Sequence, residues 1–318
     1  MTIAVLGEAL VDLILAPDGS FRPHLGGSPF NVAIGLARQG LHASYLSPFS
    51  DDAFGQQLIS ALVRENVAMP TTRRSAWPTS LALVTLEEDG QPSYRLYREG
   101  IADKDISAQE IIDKLPDDLS LFHTGSLAIT PSQLPKLRTV FGELQRRGVP
   151  ISLDINIRLK GSMDREKYLQ GVRDLLPAAS LVKASDEDID AFSLGFNARG
   201  SAEILYKEMN GGMLALTEGG SGVCLFSPQG LVEVPGFKVV NVADTVGAGD
   251  TFHSALLAAL CRSAPEVSVP ALQALSTASL ESSLYFACAA AAINVSRQGC
   301  SPPTYDEVEA FLLAQRRS

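Results

Sequence analysis

Residues 244–252 read Asp244-Thr245-Val246-Gly247-Ala248-Gly249-Asp250-Thr251-Phe252 and lead into an apolar segment, residues 254–260, that favours a helix. The small residues Gly247, Ala248 and Gly249 let the backbone approach a ligand closely. A helix that starts here points N–H groups at that ligand, because the first amides of a helix have no partner within it. Residues 247–249 are therefore predicted to form an anion-binding cradle, suited to the charge on a phosphoryl group in transfer.

Asp250 follows the cradle directly. A carboxylate at this place repels phosphate, so a loop that only binds phosphate gains little from it. The position suits a general base, which accepts a proton from an attacking hydroxyl. The alternative is that Asp250 only caps the helix and that the glycines only form a tight turn.

Two other glycine motifs are not matched. A Walker loop requires Gly, four residues and then Gly-Lys followed by Ser or Thr, which the sequence does not contain. A dinucleotide-binding loop requires G-x-G-x-x-G after the first strand, but residues 7–10 there read Gly-Glu-Ala-Leu. In the later loop, Phe252 stands where the third glycine belongs. A Rossmann-type oxidoreductase is therefore disfavoured.

Strand-like and helix-like segments alternate along the 318 residues. Short apolar runs are typical of buried strands and occur at 3–7, near Leu46 and Phe49, and at 121–123, 151–154, 181–183 and 213–217. Helical patterns occur at 28–39, 54–65, 165–176 and 186–194, and start signals stand at Ser107, Thr130-Pro131 and Thr304. This alternation predicts an α/β fold, with a mostly parallel sheet and helices on both of its faces.

Two segments break the alternation, at about 12–25 and 79–100. Each has a turn between two strand-like arms, at Asp18-Gly19 and at Glu88-Asp89-Gly90. We expect them to form a small β lid outside the main sheet; an extension of the main sheet's edge is the alternative. No repeat or long polar linker divides the chain, so residues 1–318 are expected to form a single domain.

The composition restricts the partners and the compartment. The net charge is −10 and no run of Lys or Arg exceeds two residues, which disfavours nucleic-acid binding. The four cysteines show no disulfide or metal-binding spacing. Glu8 and Asp12 interrupt the apolar N-terminus, and Glu281 lies too close to the apolar segment 287–295 for a membrane span. We therefore expect a cytoplasmic protein with no membrane partner.

The sequence resembles the PfkB/ribokinase family of carbohydrate kinases in two signatures. Residues 26–33 read Gly26-Gly27-Ser28-Pro29-Phe30-Asn31-Val32-Ala33, and the second signature is the stretch 244–250. Their order, their separation and the chain length agree, so the resemblance covers essentially the whole chain. It implies a ribokinase-like three-layer α/β/α fold with a small β lid, and ATP-dependent phosphorylation of a small sugar.

The resemblance also implies a role for each matching position. Asp250 would be the general base, and Gly247, Ala248 and Gly249 the anion cradle. Sugar contacts are implied for Asp12, Gly26, Gly27 and Asn31. Nucleotide contacts are implied for Lys183, Ser185, Thr217, Glu218, Gly219, Gly222, Gly249 and Cys288. Without the resemblance, residues 217–222 equally fit a hairpin turn, and the helix that contains Cys288 equally fits a packed core.

Two metal sites are implied as well. The family orders Mg²⁺ through water with an N-x-x-E motif, which reads Ser185 and Asp188 here, so that Glu187 is a rival ligand. Positions that hold a monovalent cation such as K⁺ in many relatives are Asp244, Val246, Asn294, Arg297 and Gly299.

The choice of sugar depends on fewer residues. Residues 7–12 and the pair Ala102-Asp103 look most like bacterial fructokinases, which implies fructose. Arg98, Asp154 and Arg158 are predicted to reach the sugar. The two arginines also suit an acidic sugar such as 2-keto-3-deoxygluconate, and this kinase remains the alternative, as does another PfkB sugar or nucleoside kinase. A non-catalytic sugar-binding protein is the alternative from another class.

Apolar residues on the predicted lid indicate that the protein forms an oligomer. Leu81, Leu83 and Tyr97 would be exposed to water on a lid. We therefore expect a homodimer in which two lids pair.

Overall fold

The strands and helices alternate along the chain as the sequence predicts, and the computed structural model describes residues 1–86, 92–158 and 164–316. The strands are β1 (Thr2–Leu6), β2 (Leu10–Leu15), β3 (Phe21–Gly26), β4 (His42–Tyr45), β5 (Phe49–Ser50), β6 (Arg74–Ser75), β7 (Ser80–Leu86), β8 (Pro92–Tyr97), β9 (Leu119–Gly125), β10 (Ile151–Asp154), β11 (Leu181–Ser185), β12 (Met213–Thr217), β13 (Gly222–Ser227) and β14 (Gly230–Pro235). The helices are α1 (Ser28–Arg38), α2 (Ala53–Arg64), α3 (Ala108–Asp113), α4 (Leu134–Arg146), α5 (Arg165–Arg173), α6 (Asp186–Asp190), α7 (Ala198–Lys207), α8 (Ala248–Ser263), α9 (Val269–Gln273), α10 (Thr277–Val295) and α11 (Tyr305–Gln315).

The main sheet has, among the described residues, eight strands in the order β14-β13-β12-β11-β10-β9-β1-β4. Strands β4, β1, β9, β10, β11 and β12 pair in parallel in that order, and β13 and β14 add an antiparallel edge. Side chains of β1 alternate between two apolar cores: Ile3 and Val5 join the core with α1, α8 and α10, whereas Ala4 and Leu6 join the core with α4, α5 and α7. The predicted three-layer α/β/α fold is therefore confirmed.

The two predicted hairpins form a separate sheet in the order β3-β2-β7-β8. β2 and β7 pair in parallel at its centre, and each outer pair is antiparallel. The sheet shares no strand with the main sheet over residues 1–86 and 92–158, so an extension of the main sheet's edge is wrong. The predicted turn at Glu88-Asp89-Gly90 lies outside the described residues, and the assignment of the whole chain to one domain stays a prediction.

Several predicted boundaries differ from the structure. The strand predicted near Leu46 and Phe49 is split, because β4 ends at Tyr45 and Phe49 opens β5. The helix predicted at Thr130-Pro131 begins instead at Leu134, with Pro135 in its first turn. Two nearby prolines both fit a helix start, and the sequence alone does not choose between them. The capping boxes at Ser107 and Thr304 are confirmed.

Helix α10 is long and apolar enough to cross a membrane by length and composition alone. Half of that stretch is buried inside the fold, and α10 contributes Leu284, Ala287 and Ala290 to the same core as α8. This burial is also what a core helix shows.

Candidate active site

Several predicted site residues lie at the carboxyl edge of the main sheet. Asp154 ends β10, Ser185 ends β11 and Thr217 ends β12. Parallel α/β sheets bind ligands at this edge. Helix α8 begins beside it, since a Cβ added to Gly249 would lie 2.9 Å from the Lys183 ammonium nitrogen of β11.

The cradle has the predicted conformation. Gly247 caps α8 in the left-handed region, at φ 73°, and a Cβ there would lie 2.2 Å from the Cys300 sulfur. The Ala248 amide donates weakly to the Thr245 carbonyl at 3.3 Å. Over the described ranges, the amides of Gly249 and Asp250 donate no hydrogen bond. Two N–H groups at the positive end of the helix therefore remain free for an anion.

Asp250 lies in the first turn of α8, but its carboxylate does not cap this helix. The carboxylate accepts hydrogen bonds from Ser28 Oγ at 2.6 Å and Asn31 Nδ2 at 2.8 Å, both on α1. Burial raises the pKa of Asp250, while these two hydrogen bonds oppose the shift. The helix-cap alternative is therefore wrong, since Gly247 is the cap. A buried carboxylate with a raised pKa is suited to accept a proton.

Asp12, Gly26 and Gly27 lie together on the inner side of the small sheet. A Cβ on Gly26 would lie 2.9 Å from Asp12 Oδ2, and one on Gly27 would lie 2.5 Å from the Glu8 carbonyl oxygen. Burial raises the pKa of Asp12 to about 6, and the charges of His24 and Arg158 oppose the shift. Arg158 is exposed. The small sheet and the loop after β10 therefore present a carboxyl group and a guanidinium cation to the same space.

Arg98, which is predicted to contact the sugar, is paired within the protein in this structure. Its guanidinium is buried and donates to both oxygens of Asp103, at 2.9 and 3.0 Å, and to Ser80 Oγ at 2.8 Å. These bonds use three of the five guanidinium N–H donors. Arg98 therefore links the end of β8 to Asp103 and to Ser80 of β7, and its sugar contact stays a prediction.

Asp154, which is also predicted to contact the sugar, is likewise paired within the protein. Its side chain is 0% exposed, and its carboxylate faces the Lys183 ammonium at 3.3 and 3.4 Å. Lys183 is itself 4% exposed. Both side chains therefore lie beneath the surface of the cleft, and only the ammonium reaches toward the cradle.

The segment 217–222 fits both interpretations of its sequence, a hairpin turn and a loop that contacts a nucleotide. Gly219–Ser221 form one turn of 3-10 helix, after which Gly222, at φ 117°, starts β13 antiparallel to β12. Glu218 forms a bidentate ion pair with Arg199 at 2.7 Å. A Cβ on Gly219 would meet no atom within 4 Å, so the turn is open to a ligand. Cys288, in contrast, is buried in the core, where burial raises its thiol pKa to about 12.

The two predicted magnesium ligands, Asp188 and Glu187, differ in whether their carboxylates already accept hydrogen bonds within the protein. Asp188 accepts from the Ile157 amide at 2.6 Å, the Ser185 amide at 2.9 Å and Ser185 Oγ at 2.8 Å, within a capping box. Glu187 is exposed. The described part of the chain contains no group of three His, Cys, Asp or Glu placed to hold a metal. Such a site fits only an ion held mainly by ligand phosphates and water, which is the usual mode of Mg²⁺.

The five residues predicted for a monovalent cation lie around one loop. The Asp244 carboxylate accepts from the amides of Val246 at 3.0 Å and Gly299 at 2.9 Å. Asn294 Nδ2 donates to the Val246 carbonyl at 2.9 Å. Arg297 instead forms an ion pair with Glu307 at 2.6 Å. Backbone carbonyls of this loop are the oxygens that a cation would find there.

Sequence reasoning missed several polar residues of this region. Ser28 lies within the first signature, but its bond to Asp250 depends on how α1 and α8 pack. Glu8 is buried, its Oε1 accepts from the Ser28 amide at 3.3 Å, and burial raises its pKa to about 7. His253 lies one turn after Asp250 and is fully buried. No local pattern distinguishes such positions from ordinary apolar ones.

Comparisons with known proteins agree with this geometry. A sequence model described as pfkB family carbohydrate kinase matches residues 2–307. The fructokinase of Rhizobium leguminosarum bv. trifolii is 32% identical over 81% of this chain and 79% of its own. Probable fructokinase-5 of Arabidopsis thaliana is 27% identical over 99% of this chain and 98% of its own. The crystal structure of a Xylella fastidiosa fructokinase with bound ATP superposes with a TM-score of 0.86 at 28% identity, over 99% of both chains.

Proposed function

The chain belongs to the pfkB family of carbohydrate kinases, and we propose from this that it transfers the terminal phosphoryl group of ATP to a primary hydroxyl of fructose, giving fructose 6-phosphate and ADP. The observation that carries the proposal is the carboxylate of Asp250 beside two free amides at the start of α8. The relatives named fructokinase, one of them crystallised with ATP, support the choice of sugar and of nucleotide.

Asp250 serves as the base. It accepts the proton of the sugar hydroxyl as that oxygen forms its bond to phosphorus, and the bond from phosphorus to the leaving oxygen of ADP breaks. The hydrogen bonds from Ser28 and Asn31 fix the carboxylate orientation. General-base catalysis of this kind contributes about 10²–10⁴-fold in rate.

The nucleotide lies along the turn at residues 219–221, with its terminal phosphate at the free amides of Gly249 and Asp250. The open space at Gly219 supports this placement. A divalent cation, proposed to be Mg²⁺, would be held through water by Glu187 and Asp188 together with the phosphates, and it would neutralise phosphate charge. A monovalent cation such as K⁺ would bind backbone carbonyls near Val246.

The sugar is held by Asp12, Gly27 and Asn31, whose short polar groups and bare backbone suit vicinal hydroxyls. One observation favours fructose over an acidic sugar. Of the two arginines predicted to reach the sugar, Arg158 is exposed, whereas Arg98 is buried in its ion pair with Asp103. The keto-acid proposal relied on both arginines, so it loses one of its two supports.

A coupled assay of ADP release tests the substrate. The protein is mixed with ATP and Mg²⁺ and offered fructose, 2-keto-3-deoxygluconate, ribose or a nucleoside, with Asp250→Asn as the blank. Fructose is expected to give the highest kcat/KM, and ³¹P NMR should identify a 6-phosphate. Turnover of 2-keto-3-deoxygluconate without turnover of fructose would overturn the substrate. Absence of turnover with every sugar would overturn the proposed function, and equal turnover by Asp250→Asn and the native protein would overturn the placement of the base.

A homodimer through the small sheet is part of the proposal. Register places Leu13, Leu15, Phe21, Leu81 and Tyr97 on one face of this sheet, and Asp12 on the other. Leu15, Phe21 and Tyr97 are exposed in the single chain. A large apolar face of this kind is costly in water and favours a partner.

A further inference from the structure

A chain of buried polar side chains lies behind the cradle. Ser152 Oγ is 3.0 Å from His123 Nδ1 and 2.8 Å from His253 Nε2. His253 Nδ1 lies 3.6 Å from Asp154 Oδ2, and Asp154 faces Lys183 at 3.3 Å. All of them are 4% exposed or less. Buried polar groups destabilise a core unless they are paired, so this cluster at the sheet's functional edge calls for a reason beyond folding.

The charges within the cluster are few. Burial lowers the pKa of both histidines well below its ordinary value, and Lys183 lowers both further. Burial disfavours the charged form of Lys183 and so lowers its pKa. The negative charges of Asp154, Asp188 and Asp250 have the larger combined effect, so the pKa of Lys183 is raised overall. The histidines are therefore neutral, and the cluster contains one carboxylate and one ammonium.

The ammonium is placed where a phosphoryl group in transfer would lie. Its nitrogen would be 2.9 Å from a Cβ on Gly249, whose amide is free. The two oxygens of Asp154 are its hydrogen-bond acceptors. An ammonium has three donors, so one more remains for an oxygen in the cradle.

Asp154 holds two parts of the site at once. It faces Lys183 directly, since Asp154 and Lys183 are register partners on β10 and β11. It also lies against His253, which is one turn along α8 from Gly249. The carboxylate thus sets the distance between the ammonium and the first turn of α8.

We infer that Asp154 is a positioning residue: it holds the Lys183 ammonium, for which the family resemblance implies a nucleotide contact, against the phosphoryl group in transfer, and it does not touch the sugar. The inference rests on the proposed function. It gives a reason for burying an ion pair behind the cradle.

The test compares Asp154→Asn and Lys183→Met with the native protein, using the sugar that the native protein turns over best. Both variants are expected to lower kcat by about 10²–10³-fold, which is the usual effect of losing one group that stabilises transferred charge. KM for the sugar should change by less than about 3-fold. The double variant should be no slower than Lys183→Met, because Asp154 acts through Lys183. A raised sugar KM with normal kcat in Asp154→Asn would show a sugar ligand and overturn the inference.

A control separates this effect from the general loss of a buried ion pair. Asp103→Asn breaks the comparably buried pair with Arg98, away from the cradle. It should lower Tm without a comparable loss of kcat. An equal loss of kcat in Asp103→Asn would show that any broken buried pair slows the enzyme, and the inference would fail.

A binding measurement covers the two remaining cases, in which Asp154→Asn does not fold or the native protein turns over no sugar. Lys183→Met should bind ADP nearly as tightly as the native protein, but bind ADP with aluminium fluoride and Mg²⁺ at least 10-fold more weakly, as measured by calorimetry. Equal loss for both ligands, or no loss for either, would overturn the role of Lys183. Absence of turnover in the native protein would count against the proposed function alone.

Discussion

At the scale of single residues, Asp250 combines a sequence signal with an environment that the sequence does not show. Its place after a glycine loop predicted a base. Its raised pKa comes from burial and is held back by the hydrogen bonds from Ser28 and Asn31. These donors lie more than 200 residues away along the chain, so they could be identified only as members of a signature, and their contact with the carboxylate could not be predicted.

Replacing this base should slow the chemistry and spare binding. Asp250→Asn keeps the side-chain shape but cannot accept the hydroxyl proton, so kcat should fall by at least about 10²-fold. ADP affinity, measured by calorimetry, should change little. Near-normal kcat in this variant would contradict the assignment of the base.

Asp250 should also set the acid limb of the pH profile of kcat/KM. Protonated Asp250 cannot act as a base, so kcat/KM falls as the pH drops through its raised pKa. Ser28→Ala removes a hydrogen bond that favours the charged form, so the acid limb should move to higher pH. A limb that stays in place while kcat/KM falls uniformly would assign Ser28 a purely structural role.

Glu8 should link stability to pH in the opposite sense to an ordinary carboxylate. Burial raises its pKa from 4.5 to about 7, so the folded state binds more protons than the unfolded state between these values. The free energy of unfolding therefore falls as pH rises from 4.5 to 7, by up to about 3 kcal/mol for this residue. Glu8→Gln should be more stable than the native protein at pH 8, but not at pH 4.5.

Urea denaturation at the two pH values checks this prediction, with Glu281→Gln as the control on the surface of α10. The control should leave the pH dependence unchanged. A difference between native protein and Glu8→Gln that is the same at both pH values would contradict the raised pKa of Glu8.

At the scale of elements, the start of α8 depends on space as much as on conformation. Gly247 and Gly19 both have positive φ, at 73° and 81°. A Cβ at Gly247 would lie 2.2 Å from the Cys300 sulfur, whereas a Cβ at Gly19 would meet nothing within 4 Å. Gly247 therefore has two reasons to be glycine, and Gly19 has one.

The pair of alanine variants separates the two reasons. Gly19→Ala should destabilise the protein by about 1–2 kcal/mol, the strain of a left-handed residue, with kcat unchanged. Gly247→Ala should cost more and should also lower kcat, because the loop must shift away from Cys300. Thermal melts and the coupled assay measure both effects. Equal melting temperatures and equal rates in the two variants would show that the Cys300 contact does not constrain the cradle.

Sequence patterns predicted these elements to different degrees. Strands β10 and β12 begin and end where predicted, because apolar runs between polar residues leave little choice. The same patterns predict that Arg98 and Asp154 contact the sugar, since a charged residue at a strand end usually faces the cleft. Here each is buried against a partner of opposite charge, and the pairing depends on neighbouring strands that only the fold brings together.

At the scale of the whole molecule, the small sheet connects assembly to binding. Its inner face carries Asp12, while Leu13 and Leu15 of the same strand face outward with Phe21 and Tyr97. Alternation along β2 makes this division unavoidable, because successive side chains of a strand point to opposite faces. A partner that covers the outer face would therefore hold the strand that positions Asp12.

Charge on the outer face should separate the proposed dimer. The native protein should sediment at twice the 33.8 kDa chain mass at micromolar concentration, and the double variant Phe21→Glu, Tyr97→Glu should sediment as a monomer. Because dissociation frees β2, the sugar KM of that variant should rise more than kcat falls. Phe196→Glu is the matched control, since Phe196 is also exposed but lies on the loop before α7, and it should remain dimeric with an unchanged KM. A native protein that sediments as a monomer would contradict the dimer, and a monomeric variant with unchanged KM would show that the outer face does not support Asp12.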